Sequence, residues 1–213
     1  MTHIILLTRA LAVVGALTLA GHAGAAEESL GAQVYRHCAG CHGPEGEGGK
    51  GGEYPRIAGL PQVYVERQLN QFKNRKRVNK PMLPIFRNWR FDQDVVAAVA
   101  AHVAAMPLYP AIIPPHQPDP ALIADFDSRE DFEAVGRDLF RNTCDQCHGE
   151  DGRGRADKQA PPLVHQYPAY LKKQIGDFAA GRREHEHAAK MFGELYEEEV
   201  DSLLVYLDKL GKK

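Results

Sequence analysis

The chain has 213 residues, of which 44% are hydrophobic and 25% are charged, and its formal net charge is −2. This composition is that of a globular protein with one large or two small domains. A slightly acidic balance disfavours a nucleic-acid-binding role. Twenty glycines and fourteen prolines indicate many loops, so the fold needs something besides its secondary structure to hold the loops in place.

The N-terminus has the pattern of an export signal. Arg9 precedes an apolar run from Ala10 to Ala20, and a stretch of small residues ends at Ala26. Residues 1–26 are therefore predicted to be a signal peptide that is removed, which predicts a periplasmic protein. The alternative is an uncleaved anchor, but the run is shorter than the roughly 20 apolar residues that span a bilayer.

The four cysteines form two tight pairs, each followed directly by a histidine. The first motif is Cys38-Ala39-Gly40-Cys41-His42, and the second is Cys144-Asp145-Gln146-Cys147-His148. This spacing is typical of haem c attachment, in which both thiols bond to one porphyrin and the histidine becomes an axial ligand of the iron. The sequence therefore predicts two covalently bound haem c groups, with His42 and His148 as iron ligands.

Three other interpretations of the cysteines are weaker. A four-cysteine zinc site leaves both histidines unexplained and normally has a shorter gap between its pairs. A thioredoxin-like pair needs a βαβ pattern, which the sequence lacks. Two local disulfides would not require the histidines.

The two motifs lie 106 residues apart, and the same offset relates many flanking residues, which is typical of an internal duplication. The matched residues include Gly43/Gly149, Gly46/Gly152, Gly48/Gly154, Pro55/Pro161, Tyr64/Tyr170, Gln68/Gln174, Phe72/Phe178 and Arg77/Arg183. We therefore expect an all-α fold of two tandem domains, residues 27–112 and 124–213. The proline-rich residues 113–123 form the linker between them.

Each half ends in a predicted helix with an apolar face. In the first half Asp92 is the expected N-cap, and Val95, Val99, Val103 and Met106 share one face. In the second half the apolar positions are Val200, Leu203, Leu204, Leu207 and Leu210. The best offset between these helices is 104, so the second half has lost two residues between Arg183 and its last helix.

A haem iron that only transfers electrons needs a second axial ligand, commonly a methionine sulfur. Met82, in a proline-flanked loop before the last helix, is the candidate in the first half, because Met106 lies at a helical core spacing. In the second half the equivalent of Met82 is Ala188, which cannot bind iron. Met191 is the leading candidate there, with His187 as the alternative that fits the spacing better, and His185 or an open site as further possibilities.

A proline carbonyl after each motif is expected to accept the free N–H of the iron-binding histidine and so to orient its ring. Pro55 and Pro161 are the matched candidates.

The chain resembles the cytochrome c4 family of dihaem cytochromes over nearly its whole mature length. The residues that carry the likeness are the two motifs with their glycine-rich loops, the stretch from Pro55 to Leu60, and the helix with Tyr64 and Gln68 before Met82. The resemblance implies two class I cytochrome c domains that pack together with haem propionates near the interface. It also implies His/Met ligation of both irons and electron transfer in the bacterial periplasm.

The second half departs from that family at two places. Ala188 stands where a methionine is expected, and Val164-His165-Gln166 replaces the Ala58-Gly59 stretch of the first half. These departures also fit a related type, the dihaem subunit of a periplasmic dehydrogenase such as a sulfide-oxidising flavocytochrome.

Charge is distributed unevenly between the halves. Residues 27–112 carry eleven Lys/Arg and eight Asp/Glu, whereas residues 113–213 carry fourteen and twenty. This asymmetry favours oriented, salt-sensitive docking to charged partners. A basic cluster lies close in sequence to Met82, either beside the first haem or as a solvated helix end; it comprises Lys73, Arg75, Lys76, Arg77 and Lys80.

The predicted function is electron transfer between redox proteins of a respiratory chain. The expected partners are a membrane oxidoreductase, a terminal oxidase or a dehydrogenase, any of which can bring the protein to the membrane. The alternatives are an electron-accepting subunit of a dehydrogenase and a dihaem redox enzyme such as a peroxidase, although no acid/base constellation supports an enzyme.

Overall fold

The structure is a computed structural model that describes residues 28–88, 90–108, 113–186 and 191–212. The predicted signal peptide and His187 lie outside these residues, as do Ala188 and the end of the first predicted domain.

The first domain is built from helices around the first cysteine motif. These helices are α1 (Leu30–His42), α2 (Gln62–Lys73), α3 (Leu83–Asn88) and α4 (Gln93–Ala105). Ser29 caps α1, because its hydroxyl accepts the N–H of Ala32. Asp92 caps α4 as predicted, since Oδ1 accepts the N–H of Val95 at 3.0 Å.

The second half begins with a short helix at the end of the predicted linker, and helices around the second motif follow. Its helices are α5 (Pro120–Ile123), α6 (Arg129–Leu139), α7 (Asp145–His148), α8 (Pro168–Ala179) and α9 (Glu197–Leu210). A π-helical turn, Phe140–Cys144, joins α6 to α7, so the second motif lies at the end of one long helical segment.

Extended pairing in the described residues is limited to two isolated bridges, Gly49 with Tyr54 and Arg155 with Ala160. These bridges are themselves related by the 106-residue offset. The expected all-α architecture is thereby confirmed for the part of the chain that the structure describes. No helix within these ranges combines the length and apolar character needed to cross a membrane.

In each domain the helix that leads into the motif crosses the last helix at very short range. A Cβ on Gly31 of α1 would lie 2.3 Å from the carbonyl oxygen of Ala98, and a Cβ on Gly136 of α6 would lie 2.2 Å from that of Ser202. Only glycine permits this approach. In the second domain the Gly136 N–H also donates to Ser202 Oγ at 2.7 Å.

The predicted apolar faces form the cores. Val99 and Val103 are buried with Val96 against α1, and Val95 and Met106 pack at the edge of this cluster. Met106 is the residue after the last turn of α4 and caps its end. In α9 the buried positions are Val200, Leu203, Leu204 and Leu207, with Leu210 packed beside them.

Buried hydrogen bonds join the two domains. Arg77 donates to Gln68 of its own domain at 2.8 Å, and to Tyr170 and Gln174 of the other domain at 3.0 Å each. In the matched arrangement, Arg183 donates to Gln174 at 2.7 Å, and across the interface to Tyr64 at 2.7 Å and Gln68 at 3.2 Å. This set of six residues is called the arginine seam below.

One residue of the predicted basic cluster, Arg77, is buried in the arginine seam and does not lie at the surface with the others. Lys73, Arg75, Lys76 and Lys80 are exposed, but Arg77 is only 8% exposed and is not part of a solvated helix end. Its side chain turns inward because Tyr170 and Gln174 of the second domain accept its hydrogen bonds.

The described part of the linker is attached to the second domain. The backbone N–H of His116 donates to a carboxylate oxygen of Asp208, and its Nε2 lies 3.3 Å from Oδ1 of Asp201. The Asp201 side chain is only 3% exposed and also accepts from Lys172 at 2.8 Å. The proline-rich segment is therefore docked along α9 and does not act only as a spacer.

The 106-residue offset between matched residues of the two domains continues beyond Arg183. Phe72 stacks on Phe86 with ring centroids 6.0 Å apart, and Phe178 stacks on Phe192 at 5.2 Å. Both pairs are related by the offset of 106, whereas α4 and α9 begin 104 residues apart. The two-residue loss therefore falls between Phe192 and α9.

Candidate functional site

The first cysteine motif occupies the last turns of α1. Cys38 is half-buried, Cys41 is exposed, and His42 is only 7% exposed. The helix ends at Gly43, whose φ of 81° turns the chain away from the helix axis. The two thiols and the imidazole thus project from consecutive turns of one rigid element.

The second motif has the same order of side chains on a different local backbone. Cys144 is buried at the end of the π-helical turn, Cys147 is half-buried, and His148 is 8% exposed at the end of α7. Burial is the main cause that raises the pKa of Cys38 to about 11 and also raises the pKa of Cys144. None of the four cysteines, all of which lie in the described ranges, is paired in a disulfide.

Each motif histidine is oriented by a proline carbonyl, as predicted. His42 Nδ1 lies 2.8 Å from the Pro55 oxygen, and His148 Nδ1 lies 2.8 Å from the Pro161 oxygen. In this geometry the Nδ1–H donates to the carbonyl, which leaves Nε2 as the nitrogen for a metal. Burial lowers the pKa of both imidazoles and outweighs the proline bonds, which act in the opposite direction. Both rings therefore favour the neutral form that binds metal.

The glycine-rich loop brings each proline back to its histidine. The N–H of Gly48 donates to the carbonyl of His42, and a Cβ at Gly48 would lie 2.6 Å from the carbonyl oxygen of Tyr54. Gly154 repeats this arrangement with His148 and Ala160, with Cβ again 2.6 Å from a carbonyl oxygen. A side chain at either glycine would push the loop off the histidine, because the obstacle is backbone.

The arginine seam adds an electropositive region with no acidic partner. Arg77 and Arg183 are 8% and 7% exposed, and within the described residues neither guanidinium meets a carboxylate. Burial raises the pKa of Tyr170, but the two guanidiniums outweigh burial and the pKa is lowered. The Nε of Arg183 is buried and unpartnered.

These residues fit covalent haem. The paired thiols match its two vinyl groups, the anchored imidazoles match its iron, and two buried guanidiniums with an unpartnered Nε suit carboxylate groups such as propionates. A zinc site fits less well, since no group of three or more His, Cys, Asp or Glu side chains converges in the described ranges.

The candidate distal ligands differ in what surrounds them. Met82 is half-buried at the end of a 3-10 turn, Lys80–Met82, and Met191 is half-buried next to Phe192. His187, the predicted alternative, lies outside the described residues. The structure instead brings His185 opposite His148, with ring centroids 6.3 Å apart and ring planes 21° from parallel. The sequence pointed to His185 as a possible ligand only through its place in a loop between two predicted helices.

Comparison with known proteins identifies relatives of the whole chain. The family model described as Cytochrome c matches residues 29–106 and 133–211, one match in each domain. A thiosulfate dehydrogenase electron acceptor from Stutzerimonas stutzeri (strain A1501) is 31% identical, with 95% of both chains covered. Cytochrome c4 from Pseudomonas aeruginosa is 29% identical, with 82% of this chain and 83% of the relative covered.

Two solved structures are similar in fold. The thiosulfate dehydrogenase TsdBA from Marichromatium purpuratum matches with a TM-score of 0.66 and 27% identity over 84% of this chain. The match spans only 39% of that longer protein. Reduced recombinant cytochrome c4 from Pseudomonas stutzeri matches with a TM-score of 0.67 and 22% identity, over 83% of this chain and 95% of that one. The expected fold of two tandem cytochrome c domains is confirmed.

Proposed function

The chain belongs to the cytochrome c family, and we propose that it is a dihaem electron carrier that works in the periplasm between a reducing and an oxidising protein. The observation that carries the proposal is the duplication of a complete attachment site, with histidine and proline carbonyl 2.8 Å apart in both copies. A duplicated site inside one packed chain is suited to passing electrons onward.

The residues of the chain hold and orient each haem. Cys38 and Cys41 would hold the first group and Cys144 and Cys147 the second, and His42 and His148 would bind the irons. When bound, each haem supplies one iron that accepts and releases a single electron. The proline carbonyls fix the imidazole orientation, and the buried cores exclude water from that side of the site.

Charge supports docking to protein partners. The predicted first domain carries a net charge of +3, and residues 113–213 carry −6. Lys73, Arg75, Lys76 and Lys80 are exposed and lie close in sequence to Met82. A partner with acidic groups is expected to approach this face quickly and in a salt-dependent way. The periplasmic location rests on the export pattern of residues 1–26.

A second candidate function is that of a dedicated electron acceptor for a dehydrogenase. It is favoured by the relative named as a thiosulfate dehydrogenase electron acceptor, which aligns along 95% of both chains. The TsdBA structure, in which the region similar to this chain is 39% of the protein, supports the same partner class. In this role the present chain receives electrons from the catalytic chain and has no substrate of its own.

Reduction kinetics separate these functions. The oxidised dihaem protein is mixed with thiosulfate and a thiosulfate dehydrogenase, and haem reduction is followed by its visible absorption. A second arm supplies the reduced protein to membranes that contain a terminal oxidase. The proposed carrier is oxidised by the membranes in a salt-dependent way, and the dedicated acceptor is reduced rapidly by the dehydrogenase.

Controls address the enzyme alternative. The protein alone is mixed with thiosulfate or with peroxide, in both the oxidised and the pre-reduced state. Catalytic turnover in the absence of a partner protein would contradict the carrier proposal. Failure of both partner arms would contradict it as well.

A further inference from the structure

The ring of His185 lies close to the ring of the proximal ligand His148 and is nearly parallel to it. Their centroids are 6.3 Å apart and their planes are 21° from parallel. An imidazole nitrogen binds a metal at about 2.0–2.1 Å. Because a ring nitrogen lies about 1.15 Å from the centre of its own ring, two imidazoles trans across one metal have centroids about 6.3–6.5 Å apart by this arithmetic. The observed centroid separation of 6.3 Å lies in this range.

Both rings also form a backbone hydrogen bond through Nδ1, which leaves Nε2 for a metal. His148 Nδ1 donates to the Pro161 carbonyl at 2.8 Å, and His185 Nδ1 donates to the Glu186 carbonyl at 2.7 Å. Within the described residues, Nε2 of neither ring has a hydrogen-bond partner. The second ring thus has the same backbone anchor that makes the first one a ligand.

Aromatic side chains fix the position of His185. Phe178 meets its ring edge-on with centroids 4.8 Å apart, and Phe192 does so at 5.0 Å. The two phenylalanines stack on each other, so the imidazole packs against a pair of aromatic rings. A solvated histidine in a charged loop would not have these contacts.

The register of the repeat argues against Met191 as the ligand. Phe192 corresponds to Phe86, because each stacks on the matched phenylalanine of the preceding helix. Met191 therefore corresponds to Ile85, which packs against the first core. The position that matches Met82 is Ala188, which has no donor atom. The second domain lacks a methionine where the first has one, and His185 is the side chain that the structure places beside His148.

We propose that His185 is the distal ligand of the second iron, which makes the second haem a bis-histidine centre beside a first haem held by His42 and Met82. This inference rests on the two-haem assignment and not on the identity of any partner. Since methionine ligation raises the potential of a haem, the second haem is expected to have the lower potential. Electrons then pass downhill from the acidic second domain to the basic first domain.

Electron paramagnetic resonance and near-infrared spectra of the oxidised full-length protein test the ligand set. The parent should show one His/Met and one bis-histidine low-spin signal. His185→Ala should remove only the bis-histidine signal and produce a high-spin one, and added imidazole should restore low-spin character. His185→Met should raise the lower of the two potentials in a redox titration.

Matched variants make the result decisive. His187→Ala and Met191→Ala should leave both low-spin signals unchanged. The proposal is overturned if His185→Ala leaves the parent spectrum intact, or if Met191→Ala or His187→Ala removes the second low-spin signal. Haem content, measured by pyridine haemochrome, distinguishes a ligand effect from loss of the group: two haems per chain in every variant keep the dihaem assignment standing even where the ligand proposal fails.

Discussion

Replacement of Arg183 by methionine tests whether the arginine seam couples the two domains. The Arg183 guanidinium bonds Gln174 of its own domain and reaches Tyr64 and Gln68 of the other. Methionine approximates the length of the side chain but has no N–H groups. The substitution therefore removes the two cross-domain bonds of Arg183 with little change in packing volume, and leaves those of Arg77 in place.

The magnitude follows from which partners are left without a bond. Gln68 and Gln174 keep a bond from Arg77, but the Tyr64 hydroxyl loses its described partner. A buried polar group left unsatisfied costs about 1–3 kcal/mol, and a typical hydrogen bond contributes about 0.5–1.5 kcal/mol. Gln68 and Gln174 each lose one of the two bonds that they accept. The expected total loss is about 2–4 kcal/mol in the free energy of unfolding.

Chemical denaturation of the oxidised holoprotein measures this loss, with calorimetry to resolve the domains. The parent is expected to unfold in one cooperative transition, and Arg183→Met in two. Arg182→Met is the matched control, since the Arg182 side chain is 65% exposed and pairs with Asp177 at the surface, where an ion pair contributes about 0–1 kcal/mol. If Arg183→Met and Arg182→Met behave alike, the seam does not couple the domains.

Four further variants test the fold and the surface. Gly136→Ala places a methyl group 2.2 Å from a backbone oxygen and should destabilise the second domain by about 1–3 kcal/mol. Gly176→Ala, in a helix with no atom within 4 Å, should stabilise it by about 0.5–1 kcal/mol; equal denaturation midpoints would contradict both expectations. Burial raises the pKa of Asp208 and outweighs the bond from the linker, so its ionisation costs stability above that pKa and Asp208→Asn should stabilise the protein at neutral pH. The gain should shrink as the pH falls toward the ordinary carboxyl range, and a gain that grows at acidic pH would refute this assignment. Exchange of the exposed Lys73 and Lys76 for glutamate should slow reaction with an acidic partner and reduce its salt dependence, as stopped-flow rates would show; unchanged rates would place the docking face elsewhere.

Local sequence determines most of the attachment site. Cys38, Cys41 and His42 lie on adjacent helical turns, and the proline carbonyl that orients the histidine is only thirteen residues away. A short loop with glycines at fixed places closes that distance, and the same arrangement recurs at His148. Contacts of this kind depend on spacing along the chain, which is visible in the sequence.

Contacts between distant residues could not be predicted in this way. Arg77 lies in a run of basic residues, which indicates an exposed surface, but its partners Tyr170 and Gln174 are 93 and 97 residues away. His185 was one of several possible ligands because the sequence does not show where between Arg183 and the last helix the two residues were lost. The stacked Phe178 and Phe192, which fix that register, are recognisable only once the helices are packed.

The arginine seam uses the same three residue types from both halves, Tyr64, Gln68 and Arg77 against Tyr170, Gln174 and Arg183. A surface of this kind is self-complementary, like the contact face of a symmetric dimer. A single half therefore already carries every group needed to pair with a second copy of itself. In these terms the chain is a fused dimer whose contact face has kept its symmetry, while the segments that contain Met82 and Ala188 have diverged in sequence.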